Sequence, residues 1–245
     1  KLTLNVNKTK LLFIGSPQRL IDTGNVQIKF KGTSIEQCKS VKCLGVIIDE
    51  HLNWSEQINH VCKKVFFSLS MLRRIKPYVP KDTMTLLYLC LIQSQIDYCC
   101  EIWGAHAINQ TERIIKLQKR AARMILCCDF HTPSKEMFSQ LKWLPFNDRV
   151  TYFKCVFMYK CIHHLSSNFY QDSFVFVSDT HSFNTRHAAN FNLVIPRART
   201  EQYKHSLFYS SIFLWNNLPI EIKTSNSLNI FKQKMKQYLF KNIAL

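Results

Sequence analysis

Three groupings of residues in this chain could do chemistry. The first is Cys155…Cys161-Ile162-His163-His164, side chains of the types that hold zinc. Zinc pairs place their cysteines two to four residues apart, whereas Cys155 and Cys161 are six apart, a spacing that also keeps them off one helical face. No second cysteine pair follows, so the expectation is no metal site. The second grouping is cationic. Lys63, Lys64, Arg73, Arg74 and Lys76 lie between Gln57 and Lys81 without an acid among them, and Arg113, Lys116, Lys119, Arg120 and Arg123 follow. A solvated charged face normally mixes signs. These runs are nearly one-signed, which favours contact with phosphates, independent of base sequence and strongly salt-dependent. The third grouping is Trp54, Trp103, Trp143 and Trp215, which could stack on bases; each stands close to Leu, Ile or Pro, so core packing is the expectation.

Bulk composition agrees with the cationic reading. Lys and Arg number 33 against 16 Asp and Glu, a net charge of +17, which is more than a neutral metabolite enzyme needs and points to a polyanion. An anionic membrane surface would also fit. However, the longest apolar run, Met84–Ile92, is broken by Thr85 and followed by Gln93, Gln95 and Asp97, well short of the ~20 residues a span requires. No signal peptide opens the chain, so an intracellular location, cytoplasmic or nuclear, is expected, with no membrane partner. With 47% hydrophobic and 13% aromatic residues, wholesale disorder is excluded. The 10 cysteines sit among apolar residues, as in Ile125-Leu126-Cys127-Cys128, and are expected to be reduced and mostly buried. Because the first residue is Lys1, the chain is expected to be a fragment.

The elements that must position these residues change character along the chain. Residues 1 to about 50 carry short β-prone runs, Leu11–Ile14, Val26–Phe30 and Cys43–Ile48, punctuated by Gly15-Ser16-Pro17, Thr23-Gly24-Asn25 and Gly32. Helices are expected at about 55–76, 81–101 and 110–128, then 134–142, 147–165 and 227–241. The stretch 168–205 is of mixed class. Asn53 or Ser55 is a candidate N-cap for the first helix, and Asp82 suits the first turn of the second. On the third helix, a wheel of about 100° per residue collects Ile114, Leu117, Ala121, Met124 and Ile125 in one sector. Arg113, Lys116, Lys119, Arg120 and Arg123 fill the sector beside it. The expected class is α+β: a small antiparallel sheet in 1–50, a helical region in 51–130 and a mostly helical remainder in 131–245.

Two segments extend this reading. Leu4-Asn5-Val6-Asn7-Lys8-Thr9-Lys10 resembles the Leu-Asn-x-x-Lys-Thr segment of the palm in reverse transcriptases of non-LTR, LINE-type retrotransposons. Cys43-Leu44-Gly45-Val46-Ile47-Ile48-Asp49 is similar to the Leu-Gly-Val-x-Ile-Asp strand that follows it there. Downstream, five more segments resemble the post-palm region of jockey-like elements. They are Trp54 with Ile58 and Val61; Asp97-Tyr98 before Ile102-Trp103-Gly104; Lys116–Arg123; Trp143-Leu144-Pro145 before Arg149; and Leu214-Trp215-Asn216-Asn217-Leu218-Pro219.

The resemblance implies the end of a palm, a helical thumb at 51–130 and a C-terminal region, acting on a template–primer duplex of RNA and DNA. It places Lys8 beside the incoming nucleotide, where an ammonium can stabilise or protonate the leaving pyrophosphate, with Asn5 and Thr9 capping the turn that aims it. It also makes Leu44 and Gly45 part of a primer grip, Gly45 suiting close approach to a phosphodiester. An ordinary exposed lysine at a turn and a buried strand with a glycine bulge are the alternatives. In the family, palm aspartates hold two Mg²⁺ ions that carry the phosphoryl transfer. Those aspartates would precede Lys1, in a palm and fingers absent here, and no Asp-Asp occurs in the chain, so this fragment is expected to need no cofactor and not to polymerise alone. Two other readings stay open: a non-enzymatic nucleic-acid-binding protein derived from a retroelement, and the translation of a decayed element.

Overall fold

The computed structural model describes residues 5, 8–22, 26–30, 32–104, 108–180, 183, 185 and 189–244, and by its own packing the chain separates into two units, Lys1–Val61 and Cys62–Leu245. The first holds three two-stranded ladders. β1 (Lys10–Leu11) pairs with β4 (Glu36–Gln37), β2 (Lys29–Phe30) with β3 (Thr33–Ser34), and β5 (Ser40–Cys43) with β6 (Val46–Asp49). The last two pairs are antiparallel, as expected, but β1–β4 is parallel. The run Leu11–Ile14 contributes only its first residue to a strand, because the chain turns at Gly15, whose N–H donates to the Glu50 carbonyl, and enters α1 (Pro17–Asp22).

The expected strand Cys43–Ile48 is instead folded back on itself. Leu44 and Gly45 have φ of 45° and 92°, the paired positive values of a two-residue hairpin turn. Glycine takes such a φ freely, whereas leucine does so at a cost of about 1–2 kcal/mol, and the Leu44 side chain stands 88% exposed at the tip. Gly45 therefore serves a turn rather than a bulge within a strand.

At the end of β6, the buried Asp49 carboxylate accepts hydrogen bonds from the backbone N–H groups of His51 (3.1 Å), Asn53 (3.1 Å) and Trp54 (2.8 Å). These charge-assisted bonds hold a loop in which Leu52 and Trp54 both have positive φ, 52° and 61°. The Asn53 side chain accepts from the Ser55 N–H (2.9 Å), where α2 (Ser55–Ile75) begins. Trp54 and, from α2 itself, Ile58 and Val61 are buried.

In the second unit, α3 (Lys81–Tyr88) runs through a π-helical turn at Leu89–Gln93 into α4 (Ser94–Asp97). The expected helix to residue 101 breaks there: Tyr98 is extended and Cys99 left-handed (φ 52°) before α5 (Cys100–Trp103). The break lets the Trp103 Nε1 donate to the Tyr98 carbonyl at 2.9 Å. A Cβ on Gly104 would lie 2.5 Å from both the Cys100 carbonyl oxygen and the Val150 side chain, so only glycine permits this close crossing.

α6 (Ile108–Leu126), α7 (Ser134–Leu141) and α8 (Phe146–Ile162) follow. The mixed stretch resolves into 3₁₀ turns at Asn168–Ser173 and Val177–Asp179 and a bridge between Phe176 and Leu193. α9 (Glu201–His205), α10 (Leu207–Asn216), α11 (Ile220–Lys223) and α12 (Leu228–Ala244) complete the unit. The α8 sequence has no polar stripe, and the helix is buried on nearly every side, as such sequences require. Its Cys155, Val156 and Tyr159 share a core with Trp215 of α10 and Phe231, Met235 and Leu239 of α12. Tyr159 stacks on Phe231 with ring centroids 4.5 Å apart. All four tryptophans are buried, so core packing is their role.

Candidate nucleic-acid interface

α2 and α6 meet along a groove of about 400 Å³ lined by Cys62, Lys63, Phe66, Arg113, Lys116, Leu117 and Arg120. The spacing of α6 explains its half of the groove. Ile114, Leu117, Ala121 and Ile125 are buried while Arg113, Lys116 and Arg120 are exposed, the division the wheel implies. Met124, placed in the apolar sector, is only half-buried, and Gln118 is buried with the apolar residues. From α2, Lys63 and Phe66 stand three apart and so share a face. Phe66 is 57% exposed, an aromatic ring set among four cations. Among the described residues Lys63, Lys116 and Arg120 have no carboxylate partner. Burial pushes the Cys62 thiol up, against the opposing pull of the Arg113 charge across the groove.

The other predicted cations are dispersed. Lys64 is engaged by the Gln95 side chain (3.4 Å). Arg73 and Arg74 lie in the last turn of α2, about 15 Å along the helix from Lys63. Lys119 is half-buried, and the Arg123 guanidinium packs 5.0 Å from the Phe130 ring centroid.

In the first unit, the Lys8 N–H and the Thr9 hydroxyl both donate to the Asn5 carbonyl, at 3.1 and 2.9 Å, closing a turn that leaves Lys8 exposed. Leu4, Val6 and Asn7 of that motif lie outside the described residues. Leu44 and Gly45 form the tip of the β5–β6 hairpin.

The cysteines are more varied than expected: all 10 are free thiols, but Cys43, Cys90 and Cys127 are exposed and only Cys62, Cys100, Cys155 and Cys161 are buried. Burial pushes the Cys155 thiol up to about 12, which disfavours the thiolate a metal needs. Cys155 and Cys161 face the α8 core while His163 and His164 are exposed beyond its end. Among the described residues no three His, Cys, Asp or Glu side chains group closely enough to hold a metal ion, and none of the helices is long and apolar enough to cross a membrane.

Phe66 lies outside the cation run read from 57–81, although its spacing of three from Lys63 carries the signal. No family model matches the chain, and no solved structure matches it. It is similar to the probable RNA-directed DNA polymerase from transposon BS of Drosophila melanogaster, 26% identical over 133 residues, which are 52% of this chain and 14% of that protein. The chain thus spans a small part of that relative, and the likeness supports a reverse-transcriptase-like relationship.

Proposed function

We propose that this chain is the part of a LINE-type, jockey-like reverse transcriptase that follows its catalytic aspartates, and that the α2–α6 groove holds the backbone of the template–primer duplex. The observation that carries this reading is the convergence of Lys63, Arg113, Lys116 and Arg120 on one groove beside the exposed Phe66. Cations on rigid helices meet phosphates at fixed spacing without reading bases, as a polymerase requires of a surface that must accept any sequence. In this reading the aspartates that hold Mg²⁺ belong to the palm that precedes this segment, in keeping with a chain in which no Asp-Asp occurs. No step through Mg²⁺ is assigned to this chain. Lys8 is its one candidate catalytic residue, acting on the leaving pyrophosphate once the palm is supplied.

The test is binding of RNA–DNA hybrid as a function of salt. Lys116→Glu combined with Arg120→Glu should weaken the hybrid and unrelated duplexes alike, and flatten the salt slope by about two phosphates' worth. Both residues are exposed, so the fold should persist. Unchanged affinity and slope would return the groove to an ordinary solvated face. The rival, a stand-alone binding protein derived from a retroelement, shares the groove but not the palm. The reading frame upstream separates the two: an Asp-Asp turn a few tens of residues before Lys1 supports the polymerase, and a start codon just before Lys1 the rival.

A further inference from the structure

A second cleft, of about 480 Å³, opens between α8 and the α9–α10 pair, with Lys154 among the residues that line it. Lys154 is only 2% exposed, on a helix with no polar face to receive it. Its ammonium donates to the Ser210 hydroxyl at 2.6 Å, and that hydroxyl in turn donates to the Ser206 carbonyl at 2.6 Å. An ammonium carries three donors, and among the described residues Lys154 has no further hydrogen-bond acceptor and no ion-pair partner. Burial pulls its pKa down to about 8, with Cys155, Cys100 and Glu101 pulling the other way.

A buried cation with unfilled donors is costly and is kept where something fills them. The cleft wall adds the Lys204 ammonium and the Tyr209 hydroxyl, whereas the Thr151 hydroxyl already donates to the Asn147 carbonyl at 3.1 Å. Val150 and Leu214 give the opening an apolar side, and no carboxylate is among the lining residues. Lys204 also pairs with the exposed Glu201 at 2.5 Å, which holds the lysine at the rim without closing the cleft.

We propose that this cleft binds a small organic phosphate monoester, its phosphate oxygens accepting from Lys154, Lys204 and the Tyr209 hydroxyl and its apolar body lying against Val150 and Leu214. A phosphate fits better than a carboxylate, since three terminal oxygens can serve several convergent donors at once. The volume suits a molecule of nucleotide size or smaller. This site is separate from the α2–α6 groove and does not depend on the nucleic-acid reading.

The experiment is calorimetric titration of the intact chain with phenyl phosphate, and with benzoate and inorganic phosphate as comparison probes. Phenyl phosphate should bind at one site, more tightly than either comparison probe. Lys154→Met should weaken it by about tenfold or more, and Lys116→Glu with Arg120→Glu should leave it unchanged. In the unaltered chain, phenyl phosphate should also protect Lys204, 46% exposed at the rim, from reductive methylation, a readout that needs no variant to fold. Absence of saturable binding, benzoate binding as tight as phenyl phosphate, full affinity in a folded Lys154→Met variant, or methylation of Lys204 unaffected by the probe would each overturn the proposal.

Discussion

Arg149 on α8 grips Asp97 at the end of α4 through two parallel hydrogen bonds, Nε to Oδ1 and Nη2 to Oδ2, across 52 residues of sequence. The same carboxylate accepts from the Gln93 amide (2.7 Å), whose oxygen accepts from the Tyr88 hydroxyl (2.7 Å), and Tyr88 stacks on Trp143 with centroids 3.7 Å apart. Two of the segments that carry the family resemblance, Asp97-Tyr98 and Trp143-Leu144-Pro145 with Arg149, are therefore one structural joint. Removing the guanidinium leaves a carboxylate that is 21% exposed with only an amide beside it. Arg149→Met should cost on the order of 3 kcal/mol in urea unfolding, and Asp97→Asn in the same chain should recover part of it. Strictly additive losses would show that the pair is not coupled.

Phe66 can be separated from the charges around it. If its exposed ring stacks on an unpaired base, Phe66→Ala should weaken single-stranded RNA by about 1–3 kcal/mol with little change in salt slope, while Phe66→Trp retains affinity. Equal small losses for duplex and single strand would confine Phe66 to a wall of the groove.

Lys154 makes a pH prediction whose sign is fixed. Its folded pKa, about 8, lies below the ordinary 10.5. Between those values the unfolded chain binds the extra proton, so the penalty is full below pH 8 and is relieved as pH rises. Lys154→Met should thus be more stable than the parent at pH 7, by up to about 3 kcal/mol, with the advantage shrinking above pH 8 and gone near pH 10.5. The raised pKa values of Cys100 and Cys155 act in the opposite sense, and because the Lys154 charge lowers that of Cys155, its removal raises the Cys155 thiol further, so the comparison is read between pH 7 and 8, where these thiols stay protonated in both proteins. Urea midpoints in that window are the measurement, and a parent as stable as the variant at pH 7 would contradict it.

With template–primer, deoxynucleotides and Mg²⁺, the purified chain should show no extension above background. Joined to an upstream palm, Lys8→Ala should slow nucleotide addition more than it weakens duplex binding, because a leaving-group contact acts only in the transition state. Equal single-turnover rates would remove Lys8 from the site.

Asn216 anchors an otherwise irregular segment. Its amide donates to the Leu193 carbonyl (2.9 Å) and accepts from the Leu193 N–H (2.8 Å), as a strand partner would. Leu193 is buried, so Asn216→Ala should cost about 2 kcal/mol of stability, with protection from proteolysis lost first around residues 189–200.

How much of this was legible depended on whether the signal was local. α2, α6 and α7 appear within two residues of where periodicity puts them, and the cationic face of α6 follows from the wheel alone. α10 was missed because Leu207, Phe208, Tyr209, Ile212, Phe213, Leu214 and Trp215 surround the helix and leave no period to read. Its N-cap, Ser206, whose hydroxyl accepts from the Tyr209 N–H at 3.3 Å, was the available clue. The Leu44-Gly45 turn escaped for a different reason: the residues lack the Asn-Gly or Asp-Gly signature, and the register of the whole hairpin, not the turn itself, forces leucine to positive φ. The Lys154 cleft joins α8 to helices about fifty residues on, through Ser210 at a separation of 56, which no spacing rule can reveal.

The burial of α8 on nearly every side bears on how the protein is made. As α8 leaves the ribosome, Phe231, Met235 and Leu239, which close its core, are still untranslated. At ~5–20 residues per second this apolar helix waits several seconds for α12. During that interval Val156, Met158 and Tyr159 lack the α12 side chains that complete their core. Nascent chains stalled before Leu228 should therefore be held by chaperones or aggregate, and release should coincide with emergence of α12.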